Sequence, residues 1–150
     1  ACKEVFISCR KGQYPSLKNT IVDHFELKSP LNGILSAFHF DPFASWLTVP
    51  ADMPNINREA VEFLVNHRNR QKMATCFTDS EGVEPEPLFT LWEQKARPAI
   101  FDFFNSGGFS AKKFLQENDV NIIPCPKPQW LININDPDEL KQYLSAKKNS

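Results

Sequence analysis

"SWLTVPADMP", residues 45–54, is the stretch from which both fold and chemistry can be read. Trp46-Leu47-Thr48-Val49 is a short apolar run of the kind that forms a buried strand. Pro50 stops it, and Asp52 follows between two prolines, where the chain leaves the core. On either side, strand-like and helix-like runs alternate. Glu4 to Ser8 and Thr20 to Val22 read as strands. Pro30 opens a helix that carries Leu31, Ile34, Leu35 and Phe38 on one face. Asn57 is a fitting N-cap for a second helix, with Ala60, Val61, Leu64 and Val65 as its apolar stripe. This alternation predicts a three-layer α/β fold around a mainly parallel sheet.

The second half adds a reversal. Met73 to Phe77 and Pro87 to Trp92 read as strands joined by the turn Asp79-Ser80-Glu81-Gly82, so at least one strand should run antiparallel. Pro98 starts a third helix, and Gly107-Gly108 ends it. Ser110 is the expected cap of a fourth, with Phe109 and Phe114 as a hydrophobic staple. Val120 to Ile123 and Trp130 to Asn133 complete the expected strands. Asp136-Pro137-Asp138-Glu139 opens the last helix with a cap, a proline and acids in the first turn. The tail from Ala146 to Ser150 is expected to fray.

The 150 residues suffice for one domain with a core, and 41% hydrophobic against 23% charged is ordinary for a globular chain. A net charge of −1 gives no electrostatic case for nucleic acid or an anionic membrane as partner. No apolar run approaches the ~20 residues of a membrane span, and no signal peptide is visible. The four cysteines form no CxxC pair, and His24, His39 and His67 share no metal-ligand spacing. Reduced thiols in a cytoplasmic protein are the expectation. The sequence lacks an initiator methionine and opens almost directly on a strand, so we expect further sequence before it.

In open α/β sheets, ligands bind beyond the carboxyl ends of the strands. Asp52 lies just past such an end. Two readings stand: a turn-capping carboxylate, or an oxygen ligand for Mg²⁺, which takes one or two protein carboxylates plus substrate phosphates. Other polar groups fall at strand ends too: Ser8 and Arg10, Asp23, and Asn133 with Asn135. Together they suit phosphoryl-transfer chemistry, which needs metal ligands and donors to phosphates.

Four stretches in order carry a resemblance: Ser29-Pro30-Leu31-Asn32-Gly33-Ile34, Val49-Pro50-Ala51-Asp52-Met53-Pro54, Glu86-Pro87-Leu88-Phe89, and Asn133-Ile134-Asn135-Asp136-Pro137-Asp138-Glu139-Leu140. In register from Glu4 to about Leu144, the chain resembles the molybdenum cofactor guanylyltransferase family of MobA-type nucleotidyltransferases. The resemblance implies a Rossmann-like nucleotidyltransferase fold and Mg²⁺-dependent transfer of GMP from GTP to the phosphate of molybdopterin. It implies that Asp52 binds metal and nucleotide and is central to catalysis, and that Ser8, Arg10, Asp23 and Gly33 lie on the nucleotide side. Asn133 and Asn135 would lie on the pterin side. Contacts with other molybdenum cofactor proteins would fit the same setting.

Three departures bear on this. Ser29 stands where the family's motif begins with glycine, and Ser8 where many members carry asparagine. The family's N-terminal glycine-rich signature, with its cations for the triphosphate, is absent from these 150 residues. Residues 1–150 therefore read as a single MobA-like domain that is N-terminally incomplete. The alternatives are a cytidylyl- or other nucleotidyltransferase of the same superfamily, and a non-catalytic relative kept for binding.

Overall fold

The computed structural model describes residues 2–148. Among the described residues there are six strands: β1 (Ile7–Cys9), β2 (Thr20–Val22), β3 (Trp46–Leu47), β4 (Ala74–Thr78), β5 (Pro85–Trp92) and β6 (Asn121–Ile123). Between and after them lie α1 (Leu31–Phe40), α2 (Arg58–Asn66), α3 (Ala96–Asn105), α4 (Ala111–Glu117) and α5 (Pro137–Lys148), with a 3-10 helix at Pro128–Leu131.

The strands form two sheets. One has the order β3-β5-β4-β6; the other is the parallel pair β1-β2. Both β3 and β4 run antiparallel to β5, and β6 runs parallel to β4. Thus β3, β4 and β6 share one direction and β5 alone is reversed, a mainly parallel mixed sheet of the Rossmann-like kind. The reversal comes from the turn that closes β4 onto β5, where Gly82 takes φ +74° and the Asp79 N–H donates to the Glu84 carbonyl at 2.5 Å.

Alternation along the strands builds the layers. On β4, Ala74 and Cys76 face a core made with Leu31, Ile34, Leu35 and Phe38 of α1, Ile100 of α3 and Phe114 of α4. Phe77 faces the other side, where it packs with Phe89, Met53, Leu64 of α2 and Trp130. The sheet is therefore covered on both faces.

Local signals set several helix ends. The Asn57 side chain accepts from the Ala60 N–H at 3.0 Å, and Ser110 from the Lys113 N–H at 3.2 Å. At the end of α3, the Gly107 N–H donates to the Phe104 carbonyl at 2.9 Å and the Gly108 N–H to the Phe103 carbonyl at 2.8 Å. Gly107 has φ +91°, so these two bonds make a Schellman stop.

Six expectations are corrected. The first strand is Ile7–Cys9 and not Glu4 to Ser8, with Val5 and Ile7 exposed because no strand covers them. The third covers only Trp46–Leu47, half-buried, since Pro50 lets the chain leave the sheet early and Val49 is exposed. Trp130 to Asn133 is not a strand; Pro128–Leu131 is 3-10 helical. Trp130 and Leu131 are buried in succession, which a strand cannot do on one face. Phe109 does not staple α4: it is 66% exposed, and the Phe103 ring takes the place beside Phe114 at 5.6 Å. The third helix starts at Ala96, two residues before Pro98. The last helix does not fray at Ala146 but runs through Lys148, whose neighbour Lys147 lies 5.0 Å over the Tyr143 ring. The rest of that expected tail lies outside the described residues.

Candidate active site

The structure gathers the sequence candidates into two groups. The first sits at the carboxyl ends of β1 and β2. Ser8 pairs with Ile21 in the parallel ladder. A Cβ placed on Gly33 would stand 2.7 Å from the Ser8 hydroxyl oxygen, so the first turn of α1 lies against β1 at this point. The Asp23 N–H donates to the Cys9 carbonyl at 2.8 Å, which extends the ladder past β1 and brings Asp23 beside Arg10. Burial raises the Asp23 carboxyl above its ordinary value, and the Arg10 guanidinium partly offsets this.

Arg10 and Asp23 open onto a cleft of about 910 Å³, lined among others by Lys11, Phe25, Lys28 and Asn32; Ser8 and Gly33 are not part of its lining. Its floor is held by Asn32, which is 3% exposed. The Asn32 amide donates to the carbonyls of Phe25 and Leu27 at 2.7 and 2.9 Å and accepts from the Phe25 N–H at 3.2 Å. Ser36 joins by donating to Asn32 Oδ1 at 3.1 Å and accepting from the His24 N–H at 2.9 Å. Asn32 thus shapes residues 24–27 from below. Sequence reading placed it only as part of a motif, because one turn of helix does not reveal which distant loop it holds.

The second group surrounds Asp52. Pairing of β3 with β5 ends at Leu47, but the Thr48 N–H continues it to the Thr90 carbonyl at 2.9 Å. The Trp92 indole donates to the Thr48 hydroxyl oxygen at 3.1 Å. This guides the chain to Pro50 and leaves Asp52 exposed, while the next residue, Met53, is buried in the core. The Ile134 N–H donates to the Asp52 carbonyl at 2.8 Å. The structure therefore brings Asn133 and Asn135 next to Asp52, although they are 81 and 83 positions later in the chain. Both asparagines are exposed.

Glu86 is the neighbour that sequence reading did not place in the site. On β4, Cys76 lies opposite Thr90 and Thr78 opposite Pro85, so Phe77 alone faces the four residues Glu86–Pro87–Leu88–Phe89. Such a bulge re-aims side chains. The Glu86 carboxylate accepts from the Leu88 N–H at 2.9 Å, and its carbonyl accepts from the Thr90 hydroxyl at 2.7 Å. Glu86 is 9% exposed, and burial raises its carboxyl, with the Asp52 charge adding to the rise. The Glu-Pro-Leu-Phe run was the available signal, but a bulge arises from mismatched pairing between strands.

Among the described residues, no hydrogen bond, ion pair or ring contact joins the Ser8–Arg10–Asp23–Gly33 group to the Asp52–Asn133–Asn135 group. Among the described residues, β1 pairs only with β2 and β3 only with β5, so each has one open edge. Phe6, just before β1, meets Trp46 of β3 at 5.9 Å, so the two sheets approach each other here. Val5, Ile7, Phe40, Phe43 and Val49 are exposed nearby in sequence. For a metal, the donor set is Asp52, with the Glu86 carboxylate close enough to feel its charge. No cluster of three His, Cys, Asp or Glu side chains occurs among the described residues. That set fits a divalent cation held by one or two carboxylates and by substrate oxygens, and does not fit an all-protein cage.

The profile of the MobA-like NTP transferase domain matches residues 1–122. The chain is 31% identical over 145 residues to the molybdenum cofactor biosynthesis bifunctional protein of Synechocystis sp., covering 94% of this chain and 42% of that protein. It is 27% identical over 148 residues to the molybdenum cofactor guanylyltransferase of Vibrio vulnificus, covering 93% of this chain and 72% of that protein. It therefore spans less than half the length of the Synechocystis relative. Among solved structures, molybdopterin-guanine dinucleotide biosynthesis protein A from Archaeoglobus fulgidus superposes with a TM-score of 0.71 at 21% identity, covering 88% of this chain and 69% of the other. At that identity the likeness concerns the fold. No helix among the described residues is long and apolar enough to cross a membrane.

Proposed function

The chain belongs to the MobA-like NTP transferase domain family, and from this premise we propose that it forms the larger part of a domain that transfers GMP from GTP to the phosphate of molybdopterin. The observation that carries the reading is the bond from the Ile134 N–H to the Asp52 carbonyl. It joins a metal-competent carboxylate to a pair of amides suited to a second substrate.

Asp52 would hold Mg²⁺, with Glu86 behind it. A divalent cation there supplies positive charge against phosphate oxygens. Arg10 and Lys11 present cations to the cleft at the ends of β1 and β2, and Asp23 presents an acceptor. Asn133 and Asn135 present donors and acceptors to the acceptor substrate. No general base is required of the protein, because a phosphate dianion is already nucleophilic. The residues act by positioning and by neutralising charge.

The open edges of β1 and β3 further support a domain that takes up an additional strand between them. Unpaired edges beside exposed apolar side chains are unstable arrangements in a finished sheet. A strand there would bridge the two groups of site residues and bring a loop for the triphosphate. CTP in place of GTP is the nearest alternative. A non-catalytic relative is the second reading, favoured by the missing contact between the two groups.

The test is thermal melting and transfer activity of the full-length protein with Mg²⁺ and GTP, CTP or ATP. A nucleotide at 100 times its dissociation constant stabilises by ~2.7 kcal/mol. The expected result is a shift with GTP and release of pyrophosphate when molybdopterin is added. Asp52→Asn should remove the Mg²⁺-dependent part of the shift and leave the unliganded melting point in place. No shift with any nucleotide sinks the reading; a shift without transfer favours the non-catalytic relative.

A further inference from the structure

Asn55 stands three residues beyond Asp52, in the turn closed by the Ile56 N–H on the Met53 carbonyl at 3.2 Å. Its side chain is engaged through both its donor and its acceptor. The amide Nδ2 donates to the Gln129 carbonyl at 2.9 Å, and Oδ1 accepts from the Tyr143 hydroxyl at 2.8 Å. Gln129 lies before the Asn133–Asn135 segment and Tyr143 lies after it. One side chain therefore grips the chain on both sides of the two asparagines, while the Ile134 N–H fastens the middle to Asp52 at 2.8 Å.

This matters because the segment's other bonds are local: the Asn135 N–H donates to the Glu139 carboxylate at 2.7 Å and Asp136 caps α5, which joins loop to helix but neither to the sheet. Residues 132–136 have no regular structure, and α5 has no buried residue. Tyr143 is the one residue of α5 that is not exposed. Leu140 and Leu144 are 44% and 50% exposed, so apolar packing does not dock this helix. The 3-10 helix is different: Trp130 and Leu131 are buried with Met53, which anchors the Asp52 turn in the same core. The near end of the segment is thus fixed by packing. The far end depends on Tyr143 and Asn55.

We infer that Asn55 is a positioning residue that keeps the Asn133–Asn135 loop in register with Asp52, so that the acceptor substrate would be held beside the carboxylate of Asp52. The catalytic part of this inference rests on the guanylyltransferase reading. Asn55 itself touches neither substrate. Its loss frees the loop to swing, which lowers the occupancy of the acceptor-binding arrangement and leaves the cleft at β1 and β2 as it was.

The experiment uses Asn55→Ala and Tyr143→Phe in the full-length protein, with two readouts. Amide hydrogen exchange reports on the loop directly. In Asn55→Ala, the Ile134 amide and the amides of α5 should exchange about tenfold faster, with β4 and β5 unchanged; Tyr143→Phe should speed α5 by about 2- to 10-fold, the range of one hydrogen bond. Steady-state kinetics report on function. KM for molybdopterin should rise by a similar factor in both variants, and KM for GTP should stay within about twofold. Unchanged exchange at Ile134 and α5 overturns the inference. So does an equal rise in both KM values, or no rise in either, in protein that transfers GMP. If no transfer is found at all, the function reading falls, and the exchange result still decides whether Asn55 holds the loop.

Discussion

β4 and β1 are both short strands that pair in parallel with a neighbour, yet their surroundings differ sharply. Ala74, Thr75, Cys76 and Phe77 of β4 are all buried, with β5 on one side, β6 on the other and a core on each face. On β1, Ile7 and Ser8 are exposed and only Cys9 is buried. The same local structure is thus held by packing in one sheet and by little more than its ladder in the other. Residues that hold the fold are concentrated in the four-stranded sheet. Candidate nucleotide-side residues sit on the two-stranded one, whose outer edge is open. Binding groups drawn from the less stable part of a fold are a common pattern, since such parts can still respond to a ligand.

The contrast can be broken most strongly at its packed end. Phe77→Ala should cost about 3–5 kcal/mol in urea denaturation, as a fully buried aromatic removed from a rigid core. Ile7→Ala, 44% exposed, should stay within about 0.5 kcal/mol. If a further strand seats on β1 in the full-length protein, the Ile7 cost should rise there, which would sharpen the comparison.

The next effect concerns the ion pair at the other end of the sheet. Arg68 donates to both carboxylate oxygens of Glu93, at 2.5 and 2.6 Å, and to the Ser45 hydroxyl oxygen at 3.0 Å. The pair ties the segment after α2 to the end of β5. Arg68→Ala leaves the buried Glu93 carboxylate without its charged partner, with only the Ser45 hydroxyl at 3.1 Å still donating to it among the described residues. Allowing for the partial exposure of Arg68, we expect a loss of about 2–3 kcal/mol, measured by the same denaturation. Replacing both residues with apolar ones should cost less than the single change.

A smaller effect is expected where α1 meets β1. Alanine is favoured over glycine in a helix by up to about 1 kcal/mol, but a methyl at Gly33 meets the Ser8 hydroxyl. Gly33→Ala should therefore be less favourable in the natural background than in a Ser8→Ala background, by about 1 kcal/mol. A double-mutant cycle measures this directly, and additivity would disprove the contact.

The smallest effect is a pH dependence. The Glu86 carboxyl is raised in the fold, so the folded state holds its proton more tightly than the unfolded chain. Its stabilising contribution is present at pH below the ordinary glutamate value and is lost as pH rises through the raised one. Glu86→Gln keeps the acceptor for Leu88 and removes the charge. It should raise Tm at pH 7 by roughly 1–3 °C, with the gain vanishing near pH 4. A gain that persists at pH 4 would mean that the charge is not its source.

Much of the candidate site could be read from the chain. Asp52 at a strand end, Asp23 beyond another, and the asparagine pair before the last helix are motif positions with local meaning. What escaped was their grouping. Nothing local says that Asn133 and Asn135 lie beside Asp52 and apart from Asp23, or that Asn55 serves the loop 80 residues on. The bulge that aims Glu86 depends on Phe77 of another strand.

The sequence alone determined the caps at Asn57 and Ser110, the Schellman stop at Gly107-Gly108, the apolar face of α1, and the reversal at Gly82. Each is written within a few residues, because the bonds concerned span three or four positions. Tertiary structure alone decided that the strands divide into two sheets and that Trp130 sits in a 3-10 turn. It alone decided that a single amide at Asn55 spans the flanks of the Asn133–Asn135 loop. These rest on pairing and packing between distant segments, whose energies depend on which surfaces meet and not on the order of residues within either one.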